Sequence, residues 1–287
     1  MKPIKVLVMS VGEYSKNGTA KWFVKLNAKD LLVVCLPKEF ETNANSYKEK
    51  GIEVFIYDEK KYINDNVEYF GFKKRNCGGI GRQGIAEAVE KYGDDCICLE
   101  LDDDTSSYNV RNADIDKSCS IRNKEDLEKI IRVFDEFYNK TGIECMGKTG
   151  ATPSSGDFIA NRKIFNNFIM RKGNKWNFDG FKALCSDDYR YNLYNNLYNC
   201  RPMISTELVS ISFTQSQGDR KDGNAVIYNG DYSWKKSYSL KMMAPWCVDQ
   251  RIKEETNRIL FRENFRPSLL FPPISVVENN NVVGEIK

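Results

Sequence analysis

The run Cys96-Ile97-Cys98-Leu99-Glu100-Leu101 passes straight into Asp102-Asp103-Asp104. A short apolar run of this kind reads as a buried strand, and three carboxylates stand where it ends. Adjacent carboxylates repel one another and gain nothing from a core. A divalent cation, itself bound to a phosphate, would neutralise them. The pattern points to metal-assisted chemistry on a nucleotide or nucleotide-sugar. Its place in the chain agrees, because ligands of parallel α/β sheets bind beyond the carboxyl ends of the strands. Asp102 and Asp104, with Asp103 between them, can reach a metal and a ribose or phosphate together. An exposed Asp-rich turn or helix cap is the alternative.

Two further stretches carry chemical potential. Cys77-Gly78-Gly79-Ile80-Gly81-Arg82-Gln83-Gly84 opens a predicted helix. A glycine-rich turn lets backbone approach a ligand closely, and a helix N-terminus favours phosphate. Arg82 could add bidentate contacts to a diphosphate. The stretch is neither a Walker motif nor a Gly-x-Gly-x-x-Gly fingerprint after a strand, so a flexible loop is an equal alternative. Ser186-Asp187-Asp188-Tyr189 opens another predicted helix, over 187–199. Acidic residues in a first turn suit the helix dipole, so capping is one reading. The other is a carboxylate base that takes a proton from an acceptor hydroxyl. The chain has no histidine at all, which removes the commonest general base, the Ser-His-Asp triad and most transition-metal sites. Aromatics crowd residues 176–199; most read as core, and some could stack on a sugar or nucleobase. The charged loop 218–223 reads as solvated.

These residues need a frame. Residues 4–11, 31–36, 53–57 and 96–101 read as near-continuous apolar strands separated by helical segments, the pattern of a parallel sheet covered on both faces. A short polar helix over 41–50 closes at Gly51. The helix after the glycine-rich turn shows Ile85, Ala88, Val89 and Tyr92 on one face. A helix over 123–139 has Asn123 as its cap, Asp126 three residues on, and Leu127, Ile130, Ile131, Phe134 and Tyr138 as its apolar stripe. Further on, 161–171 and 187–199 read as helices, 206–213 as strand, and Trp234 to Val248 as helical until Pro245. The expected fold is α/β and Rossmann-like: a central, mainly parallel sheet flanked by helices, in a single domain. Residues 1–105 are expected as its nucleotide-sugar-binding half, 106–275 as an acceptor-side half, and 276–287 as a frayed tail.

Length and composition set the bounds. The chain has 287 residues, 41% of them hydrophobic and 29% charged, as in ordinary globular proteins. A net charge of +3 permits a polyanionic partner without demanding one. Nine cysteines, an odd number, lie scattered without metal-knuckle spacing, so they read as reduced core residues. Strand alternation puts Cys96 and Cys98 on the same face. No apolar run reaches the length of a membrane span, and the N-terminus lacks a signal-peptide pattern. A cytoplasmic protein is expected.

Taken in order, the first strand, the Gly81-Arg82 helix, the Asp102–Asp104 cluster and the acidic helix start some 80 residues later resemble a GT-A glycosyltransferase. The resemblance covers about residues 4–215. It implies that the strand-end aspartates form an Asp-x-Asp motif holding a divalent metal, Mn²⁺ or Mg²⁺, and a nucleotide-sugar. Asp104 and Asp102 would be the metal ligands. Gly12, Gly81, Arg82 and Asp102 to Asp104 would line the donor. Asp187 or Asp188 would be the catalytic base of an inverting enzyme. The segments 187–194 and 233–242 resemble a narrower group, the phage and bacterial glycosyltransferases associated with TET/JBP dioxygenases and related to the base J enzymes. That implies a hydroxymethylated pyrimidine in DNA as acceptor, flipped from the duplex. One departure stands out. Many GT-A enzymes add a C-terminal histidine as a metal ligand, and this chain has none. Thr214 and Gln215 occupy roughly its place. Either an oxygen ligand replaces the imidazole, or the aspartates and water suffice.

The expected function is transfer of a hexosyl or pentosyl group from a nucleoside-diphosphate sugar, UDP-linked by preference, to an acceptor hydroxyl. Rival readings are a glycan, lipid or protein acceptor, a sugar nucleotidyltransferase, and a silent nucleotide- or DNA-binding module. The nucleotidyltransferase would want a Gly-rich, basic loop after the first strand, which Val11 to Gly18 fits poorly.

Overall fold

The computed structural model describes residues 1–62, 78–112, 117–141, 144–149, 160–161, 170–171, 203–213, 248–255, 258–265, 274–278 and 281–286. Four parallel strands make its first half: β1 (Ile4–Met9), β2 (Leu32–Pro37), β3 (Glu53–Tyr57) and β4 (Ile97–Leu101), in the order β3-β2-β1-β4. All six residues of β2 are buried, as its unbroken apolar run requires, and Pro37 ends it. Register sets Val6 beside Leu32 and Leu99, so every second side chain shares a face.

Those two faces carry two cores. Ile4, Val6, Val8, Leu32, Val34, Leu36, Ile97, Leu99 and Leu101 pack under α1 (Gly18–Lys25), α2 (Ala44–Lys48) and a later helix. Leu7, Val33, Cys35 and Cys98 face the other way, with Cys96, against α3 (Gly78–Tyr92) and its Ile80, Ile85, Ala88 and Val89. Each fully buried aliphatic side chain contributes about 1.5–3 kcal/mol. Cys35 is buried, and burial pushes its thiol well above the usual range, which fits an inert core residue. The architecture is α/β, Rossmann-like and doubly wound.

The later helix is α4 (Lys124–Thr141), capped as its sequence predicts: the Asp126 N–H donates to Asn123 Oδ1 at 2.8 Å. Leu127, Ile130, Ile131 and Phe134 form its buried stripe. The expected polar helix over 41–50 is a 3₁₀ segment, Lys38–Asn43, followed by α2. Gly51 closes this unit with φ +72°, a conformation that costs glycine nothing.

The sheet continues beyond β4 as β9-β7-β10-β5-β6, through β5 (Thr105–Asn112), β6 (Lys117–Ser120), β7 (Glu144–Thr149), β9 (Met170–Arg171) and β10 (Met203–Phe213); β8 (Ala160–Asn161) pairs with β10. The helix expected over 161–171 is therefore wrong at both ends. Residues 170–171 lie antiparallel to β4 and satisfy backbone groups that would otherwise form an open edge, an advantage invisible to local periodicity. The expected frayed tail is also corrected: β13 (Ile274–Glu278) pairs with β14 (Asn281–Ile286), two runs rich in β-branched residues. A second hairpin joins β11 (Val248–Glu255) to β12 (Arg258–Phe265). The helix expected over 187–199, and all but the last residue of that over 234–248, lie outside the described residues.

Close helix–sheet packing uses glycine. A Cβ on Gly84 of α3 would stand 2.3 Å from the Tyr57 ring, and Tyr57 is itself buried. Alanine in a helix normally gains up to about 1 kcal/mol over glycine. Overpacking of a buried ring costs about 1–3 kcal/mol, so the clash wins. Gly84→Ala is expected to lower the urea midpoint of unfolding, and a raised midpoint would refute this packing.

Candidate active site

In a doubly wound sheet the strand order reverses at one point, and there the loops from neighbouring strands diverge to open a crevice. Here that point lies between β1 and β4: the chain runs outward from β1 to β3, then returns through α3 to β4. The residues leaving the carboxyl ends of these two strands are Ser10 to Asn17 and Asp102 to Asp104. The aspartate cluster of the sequence therefore stands at the topological switch.

The three carboxylates take separate surroundings. Asp102 lies toward α3, its Oδ1 3.9 Å from an Arg82 guanidinium nitrogen. The Asp103 Oδ2 accepts a hydrogen bond from Ser10 Oγ at 3.1 Å, across the switch point. Asp104 is buried, 6% exposed. The turn's backbone is held by α1: the Thr19 N–H donates to the Asp103 carbonyl at 3.1 Å and Thr19 Oγ1 to the Asp102 carbonyl. Among the described residues, no group of three or more His, Cys, Asp or Glu is placed to hold a metal ion. Asp102 and Asp104 flank the turn, and hard carboxylate oxygens of this kind suit Mg²⁺ or Mn²⁺ when phosphate and water complete the shell.

Beneath the turn lies a buried ion pair. Strand alternation puts Glu100 on the same side as Cys98 and Asp102, facing α3, where it pairs with Arg82. Arg82 is 3% exposed. It sits within α3 and engages Glu100 and Asp102 from below. Gly81 serves a close approach too: a Cβ there would meet Met9 Sδ at 2.6 Å.

The loop after β1 is pinned from α2. Asn43 Nδ2 donates to the Val11 carbonyl at 2.9 Å, and the Tyr14 N–H donates to Ser46 Oγ at 3.0 Å. The buried Tyr47 hydroxyl donates to the Gly12 carbonyl at 2.8 Å and accepts from Asn17 Nδ2 at 3.3 Å. Burial raises the Tyr47 phenol above its ordinary pKa, and its side-chain hydrogen bonds with Ser10 and Asn17 oppose this only in part, so it remains a protonated donor. Asn17 also caps α1, accepting the Ala20 N–H at 2.7 Å. Gly12, half-buried, is thus held in place beside the turn.

Of the sequence-predicted residues, the structure brings Gly12, Gly81, Arg82 and Asp102 to Asp104 to one end of the sheet. Asp187, Asp188, Thr214 and Gln215 lie outside the described residues. Sequence reasoning missed Ser10, Thr19, Tyr47 and Glu100. Glu100 left a signal, being the one charge inside an apolar strand and two residues before Asp102. Tyr47 left none, since its role depends on where α2 lands.

No protein-family model matches the chain, and no curated protein matches it. Among solved structures it is similar to a mycobacterial protein at 9% identity, over 92% of this chain and 83% of that one, with a TM-score of 0.46. It is also similar to UDP-glucose pyrophosphorylase complexed with UDP-glucose at 9% identity, over 74% of this chain and 90% of that one, with a TM-score of 0.29. No helix among the described residues is long and apolar enough to cross a membrane.

Proposed function

We propose that the chain is a metal-dependent glycosyltransferase of GT-A type, taking a nucleoside-diphosphate sugar as donor. The observation that supports this reading best is the Asp102–Asp104 turn at the switch between β1 and β4, where a parallel sheet binds its ligand. Asp104 and Asp102 hold the divalent ion, which when bound neutralises charge developing on the leaving diphosphate. Gly12, on its pinned loop, lies along the nucleotide, and Gly81 lets α3 close on the end of β1. Arg82, fixed by Glu100, offsets carboxylate repulsion at Asp102. In an inverting reaction Asp187 or Asp188 accepts the acceptor hydroxyl's proton. The acceptor oxygen then bonds to the anomeric carbon as the bond to the diphosphate breaks.

For the acceptor we propose a 5-hydroxymethyl pyrimidine in DNA, on the resemblance of segments 187–194 and 233–242 to the TET/JBP-associated enzymes. Transfer would take place in the cytoplasm. The test offers the protein UDP-sugars with Mn²⁺ or Mg²⁺ and DNA containing 5-hydroxymethylcytosine or 5-hydroxymethyluracil, read by nucleoside mass spectrometry. A gain of one sugar on the modified base is expected, lost with EDTA and restored by excess Mn²⁺. Metal-dependent hydrolysis of one UDP-sugar without transfer would remove DNA and retain the donor chemistry. A gain that survives EDTA would remove the metal.

A further inference from the structure

The middle aspartate of the turn is tied away from its neighbours. Asp102 lies toward Arg82 on the α3 side, whereas Asp103 reaches across the switch point to Ser10 at 3.1 Å. Ser10 is buried, and its backbone N–H is fixed by the Cys35 carbonyl at 3.1 Å. Its hydroxyl also receives the Gly12 N–H at 3.4 Å and lies 3.4 Å from the Tyr47 hydroxyl. One side chain thus joins the loop that carries Gly12 to the turn that carries Asp102 and Asp104. Thr19 holds the same turn by its backbone.

We infer that Asp103 is a positioning residue: its bond to Ser10 locks the turn so that the flanking carboxylates of Asp102 and Asp104 are presented to one divalent ion. The inference rests on the nucleotide-sugar reading above and removes Asp103 from the donor-contacting set. The physical need is plain. Three consecutive carboxylates repel, and a turn without an anchor would spread them and lose backbone order that binding must then restore. A hydroxyl donating to a carboxylate is a charge-assisted bond, stronger than a neutral one, so a single serine can do this.

The test titrates Mn²⁺, alone and with UDP, into the wild type, Ser10→Ala, Asp103→Ala, Asp103→Asn and the double variant Ser10→Ala/Asp103→Ala, following free Mn²⁺ by electron paramagnetic resonance. Loss of one charge-assisted bond corresponds to about tenfold weaker binding in Ser10→Ala and in Asp103→Ala. The double variant should be no weaker than either, since both cut the same link. Asp103→Asn keeps an oxygen that accepts the serine's hydrogen bond and should recover most of the affinity. A direct ligand role gives the opposite pattern: Asp103→Asn falls as far as Asp103→Ala while Ser10→Ala binds normally, which would overturn the inference. Thermal melts of the same set, without metal, separate the two levels. If the wild type binds no Mn²⁺, the metal reading fails and the positioning role with it, and the melts then show whether the link itself exists. Non-additive losses of Tm in Ser10→Ala and Asp103→Ala would leave it as a structural tie, and additive losses would remove it altogether.

Discussion

Asp104→Ala is expected to reduce sugar transfer by about 10³-fold with saturating Mn²⁺. The magnitude follows from the role: charge stabilisation by a bound cation is worth several kcal/mol in the transition state, and each 1.36 kcal/mol is tenfold in rate. Asp104 is buried at the end of β4, so its carboxylate has little freedom to be replaced by a neighbour. Asp104→Asn should fall nearly as far, because shape is retained and the negative charge is not. Initial rates across a Mn²⁺ series check this. Activity recovering in both variants at high Mn²⁺ would assign Asp104 to affinity alone, and full activity at all concentrations would remove it from the site.

The second large effect is on stability. Arg82→Met is expected to destabilise the fold by about 3–5 kcal/mol, since it strands the Glu100 carboxylate in the core between β4 and α3. That is a large share of the roughly 5–15 kcal/mol by which most domains are stable. The exposed pairs make the contrast. Lys5–Glu53 at 2.6 Å and Lys124–Asp30 at 2.5 Å are close pairs, yet solvent screening leaves such pairs worth about 0–1 kcal/mol each. Replacing both partners, Arg82→Met with Glu100→Leu, should restore most of the lost stability while leaving Asp102 without its neighbouring guanidinium. Chemical denaturation of the single and double variants measures this. Equal loss in both would mean that Arg82 stabilises through packing of its stem and not through Glu100.

Both effects trace to a few residues, and they show how far the chain could be read before its structure. The four parallel strands were legible because burial on both faces demands continuous apolar runs, and β2 and β4 supply them. The α4 cap was legible because Asn123 and Asp126 act within one turn. The place of the aspartate turn in the fold was legible for a similar reason: three aspartates cannot follow a buried strand without standing at its carboxyl edge. What could not be read depends on distant partners. Residues 170–171 carry a helix-like local pattern and become strand because β4 offers an edge. The pairing of Arg82 with Glu100, eighteen residues later, depends on how α3 lands on β4. Tyr47 and Ser10 meet only because α2 lands over the loop after β1.

On the proposed reading, the turn after β4 binds a nucleotide-sugar through a divalent ion. Calorimetric titration of UDP-sugars into the wild type and Asp104→Ala, with Mn²⁺ and with EDTA, tests it most directly. The expected result is binding by the wild type that needs Mn²⁺ and is lost in Asp104→Ala, with the variant's melting curve showing an intact fold. Equal binding by both proteins, or binding indifferent to EDTA, would contradict the claim and place the ligand elsewhere.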